Sequence, residues 1–175
     1  AKARESFGPI HIVFNNAAAG VVYAHDGGLW ANTDEIWKTA MDVNVLATWR
    51  LAELTKSDMS AHGKGVIISV QSCGGFTPIP PAVAYGVSKA ALAFLTRSLA
   101  KALAPHIRVL AVSPGVVDSS FVPGRGADFN EKAAATIPLK RIGHVDDTAA
   151  TIEACATTLR FATGSRFVVD GGRSL

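Results

Sequence analysis

Four short strand-like stretches, 9–20, 63–72, 107–115 and 165–172, are set between longer helical ones. The runs "IHIVF", "GVIISV" and "IRVLAV" are apolar enough to read as buried strands, and "RFVV" reads as a fourth strand. Strands that alternate with helices are joined by right-handed crossovers, and such crossovers make parallel sheets covered on both faces. The pattern therefore predicts an α/β fold, a doubly wound parallel sheet in one domain spanning residues 1–175.

The helices are marked by their ends. "AKARESFG" reads as the last turns of a helix closed by Gly8. Residues 33–61 read as one long helix, with Thr33 as N-cap and Asp34 and Glu35 in the first turn. Residues 84–104 form a helix stopped by Pro105, and 144–159 form another. The Gly- and Pro-rich stretch 74–83 is a loop, and 116–143 reads as a mobile loop with room for a short helix. The first strand is apolar as a central strand should be, yet only half a helix precedes it. An exposed apolar edge is a liability. The expectation is that these residues are the carboxyl portion of a larger doubly wound domain, without its first strands.

Composition narrows the function classes. Hydrophobic residues make up 49%, charged residues 18%, and mean hydropathy is +0.26, which excludes disorder. No run is long enough to span a bilayer, and no signal-peptide pattern opens the chain. The net charge of +3 is scattered, so neither a membrane nor a nucleic-acid partner is expected. Cys73 and Cys155 form no CxxC, and no metal site is indicated. Their spacing fits a reducing, cytoplasmic setting. There is no GxGxxG, since Gly124 and Gly126 lack the third glycine and a preceding strand. There is also no P-loop and no GxSxG elbow around Ser72.

What remains is "AYGVSKAA" at the start of the 84–104 helix. Tyr85 and Lys89 stand at i and i+4, on one helix face. A phenol with a reference pKa of about 10 is a poor proton carrier at neutral pH. A fixed ammonium beside it favours the phenolate, which makes the pair a sound acid/base unit. Such a pair also arises by chance as a half-buried Tyr and a solvated Lys. Its context argues for chemistry. Ser72 closes a buried strand thirteen residues earlier, at the kind of strand end where open parallel sheets bind ligands. Asn44 sits in the apolar stretch "DVNVLA" and must find partners. "NNA" and "SPG" end two other strands.

Together "FNNAAAG", "VNV", "ISVQS", "YGVSK", "VSPGVVDSSF", "IPLKRIG" and "VDGG", in this order and spacing, resemble the short-chain dehydrogenase/reductase family along essentially the whole chain. The resemblance implies a Rossmann-like, three-layer α/β/α fold and an NAD or NADP cofactor. It also implies a small-molecule alcohol or ketone substrate. Tyr85 would be the acid/base, Lys89 would lower the Tyr85 pKa and hold the nicotinamide ribose, Ser72 would polarise the substrate carbonyl, and Asn44 would position a relay water. Asn16 would lie near the cofactor ribose. Pro114, Gly115 and Val117 would run along the nicotinamide, with Ser119 where the family often has Thr. Residues 118–142 would form a substrate lid. The 33–61 and 84–104 helices would pair in a homodimer or homotetramer. Trp37 and Trp49 fit that packing role. Cys73 reads as a small core residue, His11 as a satisfied sheet histidine, and His25, His62, His106 and His144 as surface or loop residues.

Two departures stand out. Ala18 replaces the glycine of the family's NNAG motif, and the Gly-rich pyrophosphate turn is absent from these 175 residues. Two rivals follow. One is a non-catalytic module that keeps the packing but no redox activity. The other is a hydrolase built on Ser72, which would need a histidine and an acid beside it.

Overall fold

The computed structural model describes residues 2–20, 28–78, 80–121 and 128–175. His25, Gly124 and Gly126 lie outside them, as do residues 122–127 of the 118–142 stretch. The sheet consists of β1 (Ile12–Asn15), β2 (Gly65–Val70), β3 (Ile107–Pro114) and β4 (Arg166–Val169), all parallel and adjacent in chain order. Each element lies close to its sequence-derived place.

Alternate residues of a strand point to opposite faces, and β2 buries both. Ile67 joins Val13 and Val109 under α3 (Ala47–His62) and α4 (Val83–Leu103), which add Ala52, Met59 and Leu99. Val66 and Ile68 point the other way, with Leu110 and Val112, toward Cys155 on α6 (Val145–Thr157). Each Val, Leu, Ile or Met among them, fully buried, contributes roughly 1.5–3 kcal/mol. Helices on both faces give the three layers. Arg108 on β3 fixes α6 by donating to the carbonyls of Cys155, Ala156 and Leu159 at its end. Cationic donors suit a helix carboxyl terminus.

α6 packs on β2, β3 and β4. On β1, Val13 faces α3 and is buried, whereas Ile12 and Phe14 face the other way and are 53% and 45% exposed. The apolar exposure expected of the first strand is therefore present. Gly8, at φ 80, closes α1 (Lys2–Phe7) through its N–H to the Arg4 carbonyl. Within the 116–143 stretch, α5 (Phe129–Thr136) is the short helix. Among the described residues no helix is long and apolar enough to cross a membrane, and no group of three or more His, Cys, Asp or Glu could hold a metal ion.

Two expectations need correction. The 33–61 helix is not continuous. Thr33 does cap α2 (Asp34–Met41), accepting from the Ile36 N–H, but Asp42–Leu46 is a π-helical turn before α3 begins. The Ala47 N–H reaches back five residues to the Asp42 carbonyl. An unbroken apolar pattern does not reveal one widened turn. The second correction concerns His11. It lies just outside β1 and is exposed, with its ring against that of His62 at 4.2 Å between centroids. Only its carbonyl joins the sheet, accepting from the Val66 N–H.

Candidate active site

α4 starts at Val83, so Tyr85 stands in its first turn and Lys89 one turn further on. Lys89 is 2% exposed. Its Nζ lies 5.4 Å from the centre of the Tyr85 ring and donates to the Val70 carbonyl at 2.8 Å. Val70 is the last residue of β2, so this bond pins the ammonium to the carboxyl edge of the sheet. Burial pushes the Lys89 pKa down from 10.5 to about 8. No carboxylate pairs with it among the described residues. An ammonium has three donors, and Val70 takes one.

Ser72 follows β2 in extended backbone and caps the tight turn Cys73–Gly75, its Oγ accepting from the Gly74 N–H at 3.1 Å. That turn rests directly on α4. A Cβ on Gly86 would lie 3.0 Å from the Gly74 carbonyl oxygen, and one on Gly75 would lie 2.9 Å from the Lys89 backbone. Glycine at both places lets the Ser72 turn meet the segment of α4 that carries Tyr85 and Lys89. Cys73 is buried beside it, and burial pushes its thiol pKa up. It is packing, as the sequence suggests. Among the described residues no histidine hydrogen-bonds Ser72.

Asn44 sits in the π turn and is 2% exposed. Its carboxamide pairs with the Ala19 peptide and also donates to Ser88 Oγ at 2.8 Å. Ser88 Oγ in turn donates to the Tyr85 carbonyl at 2.7 Å. The turn after β1 is thereby tied through two side chains to the backbone of Tyr85. Ala18 in that turn has no positive φ, so the loss of the motif's glycine brings no backbone strain.

Asn16 is exposed at the end of β1, next to Asn15, whose amide donates to Ser69 Oγ at 3.3 Å. Pro114 ends β3, and the Gly115 N–H bonds the Val169 carbonyl. Gly115 packs against Asp170, where a Cβ would approach to 2.6 Å. Val117 bridges to Gly143 through bonds made by its neighbours Val116 and Asp118. Ser119 lies further out, its Oγ accepting from the Phe121 N–H at 3.4 Å. The structure thus brings Tyr85, Lys89, the Ser72 turn and the Asn44 tie together. Asn16, Pro114, Gly115 and Val117 line up along the same sheet edge, and Ser119 is more distant.

Sequence reasoning missed Ser88 and Gln71. Ser88 is fully buried, and its only mark was a small polar residue three places after Tyr85. Gln71 is buried, donates to Thr96 Oγ1 at 3.2 Å and accepts from Ser113 Oγ at 3.2 Å, locking β2 to α4 and β3. Its mark was a polar residue closing an apolar run.

A parallel sheet between helical layers, with polar groups gathered at its strand ends, defines a Rossmann-type α/β protein. A family model described as enoyl-(acyl carrier protein) reductase matches residues 1–174. The chain belongs to the short-chain dehydrogenase/reductase family. It is 32% identical over 176 residues to human dehydrogenase/reductase SDR family member 4, covering 98% of this chain and 62% of that protein. It is 36% identical to an uncharacterized oxidoreductase of Thermotoga maritima, covering 98% of this chain and 70% of that one. A gluconate 5-dehydrogenase from Burkholderia cenocepacia, solved with NADP and tartrate, superposes with a TM-score of 0.90 at 25% identity, covering 99% of this chain and 68% of that structure. A metagenomic blue fluorescent protein in complex with NADPH gives 0.87 at 29% identity, covering 99% and 69%.

Proposed function

We propose that these residues form the catalytic part of an NAD- or NADP-dependent oxidoreductase that interconverts a small alcohol and its carbonyl. One observation carries the reading: a nearly buried lysine with no carboxylate partner among the described residues stands beside Tyr85 at the strand ends. Burying an ammonium is costly unless donors are used. The two N–H groups that Val70 leaves suit a vicinal pair of ribose hydroxyls, so the donor set fits the nicotinamide end of such a cofactor. When bound, that cofactor supplies or accepts the hydride. No Gly-rich pyrophosphate turn occurs in this sequence, so the reading attaches only the nicotinamide end to these residues.

Tyr85 passes its phenolic proton to the developing alkoxide in reduction and takes it back in oxidation. Lys89 favours the phenolate through its charge. Ser72 Oγ donates a hydrogen bond to the reacting oxygen, and the Gly74 N–H orients that hydroxyl. Asn44 holds the turn after β1 against α4, and Asn16, Pro114, Gly115 and Val117 border the cofactor cleft. Ser119 belongs to the lid over it.

The same reading includes a homodimer or homotetramer through the 33–61 and 84–104 helices. Trp49, Leu54 and Phe94 on their outer faces are 49%, 62% and 74% exposed, which supports it. A cytoplasmic setting agrees with two free cysteines.

The test is a fluorescence titration with NADH and NADPH, followed by carbonyl turnover of the parent and Tyr85→Phe. Saturable binding, with turnover at least a hundredfold lower in Tyr85→Phe, is expected. No binding at millimolar cofactor would leave these residues as a non-catalytic module.

A further inference from the structure

Helix α4 begins without a cap of its own. Its N-cap residue, Ala82, offers no side-chain acceptor, and its first turn holds no acidic residue. First-turn N–H groups need acceptors from outside the helix. One arrives from another part of the fold: Asn32 Oδ1 accepts from the Ala84 N–H at 3.2 Å. The Asn32 Nδ2 donates to the Pro81 carbonyl at 3.1 Å and to the Leu29 carbonyl at 2.9 Å. One carboxamide therefore grips both sides of the joint where the loop becomes α4, and ties it to the turn Gly28–Ala31. Tyr85 is the next residue after Ala84.

We propose that Asn32 is a positioning residue for Tyr85: it caps α4 from across the fold and sets where the phenol stands. The proposal rests on the reading of Tyr85 as the acid/base. The backbone of Tyr85 is otherwise tied from behind by Ser88, which bonds its carbonyl. Asn32 ties the chain ahead of it. With both in place the first turn of α4, which carries both Tyr85 and the positive end of the helix, stays ordered. Without Asn32 the turn frays at the residue that must stay still.

The test compares the parent chain with Asn32→Ala, Asn32→Asp and Tyr85→Phe. Amide exchange reports on residues 83–86, and ultraviolet titration reports on the phenol. The chain has two tyrosines, Tyr23 and Tyr85, so subtracting Tyr85→Phe isolates the second. Asn32→Ala should exchange roughly fivefold faster at 83–86, the usual weight of a helix cap. Its Tyr85 midpoint should rise by about half a pH unit as the ordered helix end is lost. Asn32→Asp keeps an oxygen for the Ala84 N–H but loses the Nδ2 donations to the Pro81 and Leu29 carbonyls, so it should exchange faster than the parent and slower than Asn32→Ala. Parent-like exchange in Asn32→Ala overturns the proposal, and so does faster exchange with an unmoved midpoint, because Asn32 is then a loop tether only. If Asn32→Ala does not fold, Asn32→Asp decides: exchange at 83–86 faster than in the parent supports the proposal, and parent-like exchange overturns it. Neither readout needs turnover. A parent that binds no cofactor counts against the oxidoreductase reading alone.

Discussion

The carboxamide of Asn44 closes on the peptide of Ala19 from both ends, its Oδ1 accepting from the Ala19 N–H and its Nδ2 donating to the Ala19 carbonyl, each at 2.9 Å. The buried carboxamide is thereby satisfied by a part-buried backbone. Replacing Asn44 by Leu keeps the volume but strands the Ala19 peptide. A buried polar group left unpaired costs about 1–3 kcal/mol, so Asn44→Leu should lose an amount in that range in urea unfolding. An unmoved midpoint would mean the pairing has no weight.

Lys89 should make stability depend on alkaline pH. Its pKa is about 8 when folded and 10.5 ordinarily, so the unfolded chain binds more proton between these values. Stability then rises with pH through that window, and the shift corresponds to roughly 3 kcal/mol. Below pH 8 the burial cost is present in full. Lys89→Met lacks the charge, so the unfolding free energy of the parent should gain on that of the variant from pH 8 to 10.5. Parallel curves for the two would contradict the burial of a charged ammonium.

Gly86→Ala sets helix propensity against packing. In a helix interior alanine is better than glycine by about 1 kcal/mol. Here the new Cβ would press on the Gly74 carbonyl at 3.0 Å and lift the Ser72 turn off α4. The expected result is a lower kcat, with cofactor affinity retained and no gain in melting temperature. A more stable, fully active variant would show that the turn has room.

Phe94 is the most exposed large hydrophobic side chain of α4. If this face joins a second copy, Phe94→Asp should convert the assembly to monomer in sedimentation velocity, at concentrations where the parent is larger. A parent that sediments as a monomer throughout would remove that part of the reading.

Much of this arrangement is legible in the sequence. The four strands announce themselves by apolar runs ended by turn residues, and Tyr85 and Lys89 by helical spacing. Ser72 is marked by its place at a strand end. The ties behind them are not legible, because their partners are far along the chain. Asn32 looks like a residue next to the Thr33 cap, yet its acceptor serves Ala84, 52 positions away. Asn44 is visibly a polar residue needing partners, but nothing local names Ala19. The π turn that carries it leaves no trace in an apolar pattern that stays continuous. His11 has strand-like neighbours on both sides, and only the pairing of Ile12 with Val66 decides that the strand starts after it.

The links running from Ala19 through Asn44 and Ser88 to Tyr85 consist of a carboxamide, a hydroxyl and peptide groups. None of these gains or loses a proton between mild acid and strong base. The frame that holds the reacting groups is therefore blind to pH, while Lys89, held in the same place, responds to it. A pH–rate curve measured on this protein therefore carries no titration from these links.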